Sequence, residues 1–185
     1  MVERRRSAVF LDRDGTMVDD PGYLHEPALV RLLPGVADAV RRLNEHGFVV
    51  VTVSNQAGIA RGLYDAAAYH AVQRRLSELL ADGGARVDAM YFCPHHPDFT
   101  GPCDCRKPGL QLFQAAARDL DLDLSESFWV GDRLSDVLPA RALGGRGFLV
   151  ETGHGREVRD EAWAEGIPIV PDLDAASRAI ILASP

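Results

Sequence analysis

Val9-Phe10-Leu11-Asp12-Arg13-Asp14-Gly15-Thr16 is a short apolar run that stops abruptly at two carboxylates one residue apart. Side chains two apart on an extended strand share a face, so an unbroken strand would aim Asp12 and Asp14 the same way. Two negative charges held that close require a cation or a shared proton. Gly15 adds a permissive backbone position just past the pair. Taken alone, the octapeptide also reads as a strand ending in an acidic turn; the rest of the chain separates the two readings.

The same layout recurs downstream. Phe48-Val49-Val50-Val51-Thr52-Val53 is apolar and β-branched, the mark of a strand buried on both faces, and it ends at Ser54-Asn55-Gln56. Further strands are expected over 87–92, 128–130 and 147–150, with a weak one over 167–170. The fourth closes at Gly131-Asp132. Helices are expected from Pro34-Gly35 to about Glu45, over 66–82, over 109–120, over 134–143 and from about Leu173. Pro139 should kink or shorten the fourth of these. Residues 17–33 are irregular and lie where a loop could cover the carboxylate pair. Strand alternating with helix predicts an open parallel sheet with helices on both faces. Ligands bind such sheets beyond the carboxyl ends of the strands. Asp12/Asp14, Ser54/Asn55, Arg106/Lys107 and Asp132/Asp136 all fall there and should converge on one site.

Composition sets the outer bounds. The 185 residues suit one domain, 1–185, with a real core. Twenty Lys+Arg against 27 Asp+Glu leave a net charge of −7, so no broad basic surface for nucleic acid is expected and an anionic substrate needs a local cluster of cations. The charged start, residues 1–6, is followed by an apolar stretch too short for a signal peptide, and no segment approaches membrane-spanning length. A cytoplasmic monomer without nucleic-acid or membrane partners is the expectation. The three cysteines crowd into 93–105, which favours a metal site over a disulfide framework.

Three carboxylates, a lysine and a hydroxyl/amide pair at one sheet edge suit phosphoryl transfer. Asp12 and Asp132 can hold a hard cation such as Mg²⁺, which makes a phosphate dianion tolerable beside carboxylates. Asp12 could attack phosphorus, Asp14 could protonate the leaving oxygen and later activate water, and Lys107 with Ser54 could bind phosphoryl oxygens. Singly, Ser54 or Asn55 would be a turn or cap and Lys107 a solvated charge; joint placement at strand ends carries the catalytic reading. Asp136 suits either a helix-start carboxylate or outer support for the metal. Cys93, His95, Cys103 and Cys105 form a C-x-H…C-x-C set whose soft donors suit a structural, tetrahedral Zn²⁺, with His96 as the competing histidine.

Asp12-Arg13-Asp14-Gly15-Thr16, Ser54-Asn55-Gln56, Lys107-Pro108 and Gly131-Asp132-Arg133-Leu134-Ser135-Asp136 together resemble the four motifs of the haloacid dehalogenase superfamily, in order, over roughly residues 7–150. The resemblance implies a Rossmann-like three-layer α/β fold with a mainly parallel sheet, no large cap domain and a zinc-binding loop over 93–105. It makes Asp12 the nucleophile and Asp14 the general acid/base, with Mg²⁺ on Asp12, the Asp14 backbone carbonyl and Asp132. It also favours His95 over His96 for zinc. Residues 22–26, 55–62 and 93–97 are similar to the branch that hydrolyses the C7 phosphate of heptose 1,7-bisphosphate to supply nucleotide-activated heptose. That branch implies substrate contacts from Tyr23, Asn55, Gln56, Arg61, Arg106 and Arg133, three arginines suiting a second phosphate. Histidinol-phosphate phosphatases are the alternative branch, with Asp20 to meet the substrate amine. Arg133 fits that branch too, the heptose enzymes often carrying Lys there, and Ser54 stands where Thr is usual. A non-catalytic zinc-binding interaction module is the alternative of another class.

Overall fold

Ala8–Leu11 forms the central strand β1, every residue of it buried. The computed structural model describes residues 5–184; Met1–Arg4, the start of the charged N-terminal run, and Pro185, the end of the expected domain, lie outside the described residues. After β1 come α1 (Val36–Glu45), β2 (Val49–Asn55), α2 (Ala57–Ala60), α3 (Ala66–Asp82), β3 (Ala89–Cys93), α4 (Pro97–Thr100) and α5 (Gln111–Leu120). The second half adds β4 (Phe128–Gly131), α6 (Leu134–Val137), α7 (Pro139–Leu143), β5 (Arg146–Val150), α8 (Arg159–Ala164), β6 (Ile169–Val170) and α9 (Leu173–Ala183).

The strands pair in the order β3-β2-β1-β4-β5-β6, each pair parallel. Alternation along β1 divides the core. Val9 and Leu11 join Val50 and the apolar faces of α1, α3 and α9; Ala8 and Phe10 join Val49, Val51 and the inner residues of α5 and α7. Phe10 stacks on Trp129 at 4.8 Å between ring centroids and meets Phe113 edge-on at 5.3 Å. Each large side chain buried this way contributes about 1.5–3 kcal/mol relative to exposure, so a register slip, which would move Phe10 to the other face, is strongly disfavoured.

The strand order reverses direction between β1 and β4, which opens a crevice at their carboxyl ends. The Asp12 amide donates to the Val130 carbonyl at 2.9 Å, carrying the pairing one residue past β1. The backbone then turns, with the Arg13 carbonyl accepting from the amides of Met17 at 2.9 Å and Val18 at 3.1 Å. The strand is therefore not unbroken through Asp14, and the two carboxylates reach one cavity by way of a turn.

Helix 134–143 splits at Pro139 into α6 and α7, because proline has no amide to continue the ladder. The third strand begins two residues later than the apolar pattern predicts. The short helices α2, α4 and α8 lie in stretches without a helical stripe; four to six residues are too few for periodicity to register. Among the described residues no helix is long and apolar enough to cross a membrane.

Candidate active site

The crevice holds a cavity of about 510 Å³ lined by Asp12, Asp14, Ser54, Asn55, Gln56 and Arg133 from the strand ends, by Asp136 from α6 and by Lys107 from the loop before α5. Asp20 and Tyr23 reach it from the loop after β1, Arg61 and Tyr64 from the loop after α2, and His96 and Arg106 from the cysteine loop. The four polar clusters thus converge as the topology predicts. Asp132 sits beneath the lining residues, fully buried.

Lys107 is the hinge of the charge pattern. Its Nζ stands 2.6 Å from Asp12 Oδ1 and 2.8 Å from Asp136 Oδ1 and also donates to the Val53 carbonyl. Burial alone would lower its pKa, but Asp12 and Asp136 outweigh that and raise it, so the ammonium stays charged. Asp136 fills two roles, since its Oδ2 accepts from the Arg133 amide at 2.9 Å and caps α6. Burial, with Asp136 and Asp132 nearby, pushes Asp12 well above the usual carboxylate range despite Lys107.

Asp132 is pushed up to about 6, first by burial and then by Asp136. Its Oδ2 accepts from the His154 amide at 2.8 Å, while its buried Oδ1 has no hydrogen-bond partner among the described residues. An orphaned oxygen, in a trio with Asp12 and Asp136 whose carboxylate oxygens lie within 4.8 Å of one another, fits a hard cation. The backbone is shaped to it: a Cβ on Gly15, at φ +82°, would lie 2.4 Å from Asp132 Oδ2, and one on Gly153 2.2 Å from it.

Asp14 is oriented by its neighbours. Arg13 Nε and Nη2 donate to its two oxygens, each at 2.8 Å, and Gln56 Nε2 donates to Oδ2 at 3.0 Å. Gln56 also donates to Ser54 Oγ and accepts from Tyr64 OH at 2.6 Å. Arg61 stacks on Phe99 at 4.7 Å from the ring centroid, with Tyr23 at 5.9 Å, so its guanidinium is held at the rim between two loops.

The cysteine loop folds its donors into one cluster. Cys105 Sγ lies 3.0 Å from Cys93 Sγ and 3.5 Å from Cys103 Sγ, and His95 Nδ1 lies 3.2 Å from Cys105 Sγ. Ligands about 2.0–2.3 Å from a tetrahedral ion lie roughly 3.3–3.8 Å apart, so the donor set fits one with modest adjustment. His95 rather than His96 stands with the thiols; His96 Nδ1 instead accepts from the Asp98 amide at 3.3 Å and caps α4. Arg106 Nη1 donates to the His95 carbonyl at 3.2 Å, tying the cluster to the residue before Lys107.

Tyr64 and His154 also line the cavity, though no sequence motif marks them. His154 had a readable signal: it follows the end of β5, as the other site residues follow theirs. Tyr64 had none, since its loop is brought to the site only by the packing of α2.

A family model described as HAD-hydrolase-like matches residues 104–176. The D-glycero-D-manno-heptose-1,7-bisphosphate 7-phosphatase of Thermosynechococcus vestitus is 45% identical, covering 92% of this chain and 93% of its own length. The D-glycero-beta-D-manno-heptose-1,7-bisphosphate 7-phosphatase of Yersinia pestis is 41% identical over 86% of this chain and 88% of its own. The D,D-heptose 1,7-bisphosphate phosphatase of B. bronchiseptica, crystallised with magnesium and phosphate, superposes with a TM-score of 0.87 at 36% identity, over 96% of this chain and 99% of that one. The chain belongs to the haloacid dehalogenase-like hydrolase family, in the branch that carries the heptose-1,7-bisphosphate phosphatases.

Proposed function

We propose that this chain is a Mg²⁺-dependent phosphatase that removes the C7 phosphate of D-glycero-D-manno-heptose 1,7-bisphosphate, leaving heptose 1-phosphate for nucleotide activation. The observation that carries the chemistry is the setting of Asp12, which faces Lys107 at 2.6 Å on the floor of the cavity, beside the orphaned oxygen of Asp132. The substrate follows from the relatives and from the rim cations.

Mg²⁺ would be held by Asp12, Asp132 and the Asp14 backbone carbonyl, with Asp136 behind, and supplies the positive charge that admits a phosphate dianion. Asp12 attacks phosphorus, forming a new O–P bond as the bond to the C7 oxygen breaks. Asp14 gives its proton to that departing oxygen and then takes one from the water that hydrolyses the aspartyl-phosphate. Lys107 and Ser54 hold phosphoryl oxygens as charge develops. Arg61, Arg106 and Arg133 receive the distal phosphate, Arg being suited to two-point phosphate contacts, while Asp20, Tyr23, Asn55 and Gln56 complete the sugar pocket. Cys93, His95, Cys103 and Cys105 would hold a structural Zn²⁺, four protein donors leaving no position open for substrate.

The test is phosphate release with Mg²⁺, comparing kcat/KM for both anomers of heptose 1,7-bisphosphate with that for histidinol phosphate. A preference of orders of magnitude for one heptose anomer is expected. A preference for histidinol phosphate would overturn the substrate and assign Asp20 to its amine.

A further inference from the structure

Arg13 lies between the two aspartates of the reaction and has no part in the chemistry described so far. It is 0% exposed. A guanidinium removed from water is strongly unfavourable unless its donors are met, and here they are met from several elements. Nε and Nη2 grip the two oxygens of Asp14, each at 2.8 Å, Nη2 also reaches Gln56 Oε1 at 3.2 Å, and Nη1 reaches Gln73 Oε1 on α3 at 3.4 Å. The Tyr69 ring lies 5.5 Å from its carbon centre. The fork is thus anchored to α3 and to the end of β2, while its open side holds the plane of the Asp14 carboxylate.

That grip makes the two oxygens of Asp14 unequal. A carboxylate oxygen has two lone pairs. Oδ2 accepts from both Arg13 Nη2 and Gln56 Nε2, whereas Oδ1, among the described residues, accepts from Arg13 Nε alone. One lone pair of Oδ1 remains for a proton. We propose that Arg13 is a positioning residue for proton transfer: its fork fixes the Asp14 carboxylate so that Oδ1 gives the proton to the leaving oxygen and takes one from water. The assignment rests on Asp14 being the general acid/base.

The experiment compares Arg13→Lys, which keeps the charge and loses the fork, and Arg13→Gln, which loses the charge, each alone and in the Asp14→Asn background. Substrates are an alkyl sugar phosphate and 4-nitrophenyl phosphate, whose leaving group needs no proton. Each single variant should lose about 100-fold in kcat on the alkyl ester, the lower end of an acid–base contribution. Both should keep a rapid burst of one nitrophenolate per enzyme before slow turnover, because attack by Asp12 is unaffected. In the Asp14→Asn background neither should add a further loss. Equal losses in both backgrounds, a burst slowed as much as turnover, or variants that fail to fold would make Arg13 a structural residue and overturn the proposal. Wild-type turnover of the alkyl ester by Asp14→Asn itself would instead overturn the acid–base assignment beneath it.

Discussion

Asn55 grips the backbone of Lys107 from both sides: its Nδ2 donates to the Lys107 carbonyl at 3.1 Å, and its Oδ1 accepts from the Lys107 amide at 2.9 Å. The end of β2 thereby sets where the exit of the cysteine loop lies, and with it the ammonium facing Asp12. Asn55→Ala leaves a partly buried amide and carbonyl unpaired, which should destabilise the fold by about 1–3 kcal/mol. Lys107 would also lose its alignment, and kcat should fall tenfold or more, about 1.4 kcal/mol of transition-state stabilisation. Urea melts and steady-state kinetics check both; unchanged kcat would separate Asn55 from Lys107 placement.

Asp132→Asn should abolish turnover yet raise the melting temperature in EDTA at pH 7. Its carboxylate, pushed up to about 6, is stabilising in its protonated form below about pH 4, and that contribution is lost as pH rises through about 6. The neutral amide escapes the penalty, worth at most about 3 kcal/mol. The wild type should be stabilised by added Mg²⁺ and the variant should not. Thermal shift with and without Mg²⁺ reads this directly; equal shifts in both proteins would remove Asp132 from the metal site.

Extraction of zinc should lower the melting temperature and kcat together. The loop holds Arg106 through the His95 carbonyl at 3.2 Å, and Lys107 is the next residue. Metal analysis beside a melting curve checks it. A metal-free protein with an unchanged melt would show that the four donors are not a structural site.

Phe99→Ala should raise KM for a sugar bisphosphate a few-fold with kcat nearly constant. Phe99 steadies Arg61, at 4.7 Å from the ring centroid, and meets the His96 ring edge-on at 5.6 Å; an exposed cation–π contact is worth about 0.5–1 kcal/mol. A monophosphate substrate should be indifferent to the change. Equal effects on both substrates would place Arg61 away from the distal phosphate.

Asp174→Asn should cost about 0.5–1 kcal/mol at pH 7 and progressively less as the pH falls below about 3.9. Arg178, then Arg42 at 2.8 Å, hold the Asp174 carboxyl below its ordinary pKa and tie α9 to α1. The group is part-exposed, so the pair is discounted to the surface range. A depressed carboxylate stabilises above its unfolded pKa, near 3.9, and that contribution is lost as pH falls through the folded value. Denaturant midpoints of both proteins, followed from pH 7 into the acid range, test the sign.

Much of the fold was legible because it rests on short-range patterns. The β-branched run before Ser54, the apolar run before Asp12 and the helical stripes between them define alternating elements, and the right-handed crossover rule leaves few ways to assemble them. The convergence of Asp12, Ser54 and Asp132 followed, since each lies at the end of a strand of one parallel sheet, and Lys107 comes to them from the loop that follows β3. The C-x-H…C-x-C spacing likewise exposed the cysteine cluster. Short helices such as α2 escaped because they carry too few residues to show a period.

The sequence by itself therefore determined the element order, the sheet edge that bears the site and the chemistry its residue types permit, since strand periodicity and residue chemistry are local properties. Only the tertiary structure decided the relations among side chains far apart in the chain. It put Gln73 of α3 against Arg13, closed Asn55 on Lys107, stacked Phe99 on Arg61, and gave Asp136 both the cap of α6 and Lys107. Those pairings depend on how helices and loops pack around buried charge, and a buried charge takes the partners that packing brings within reach.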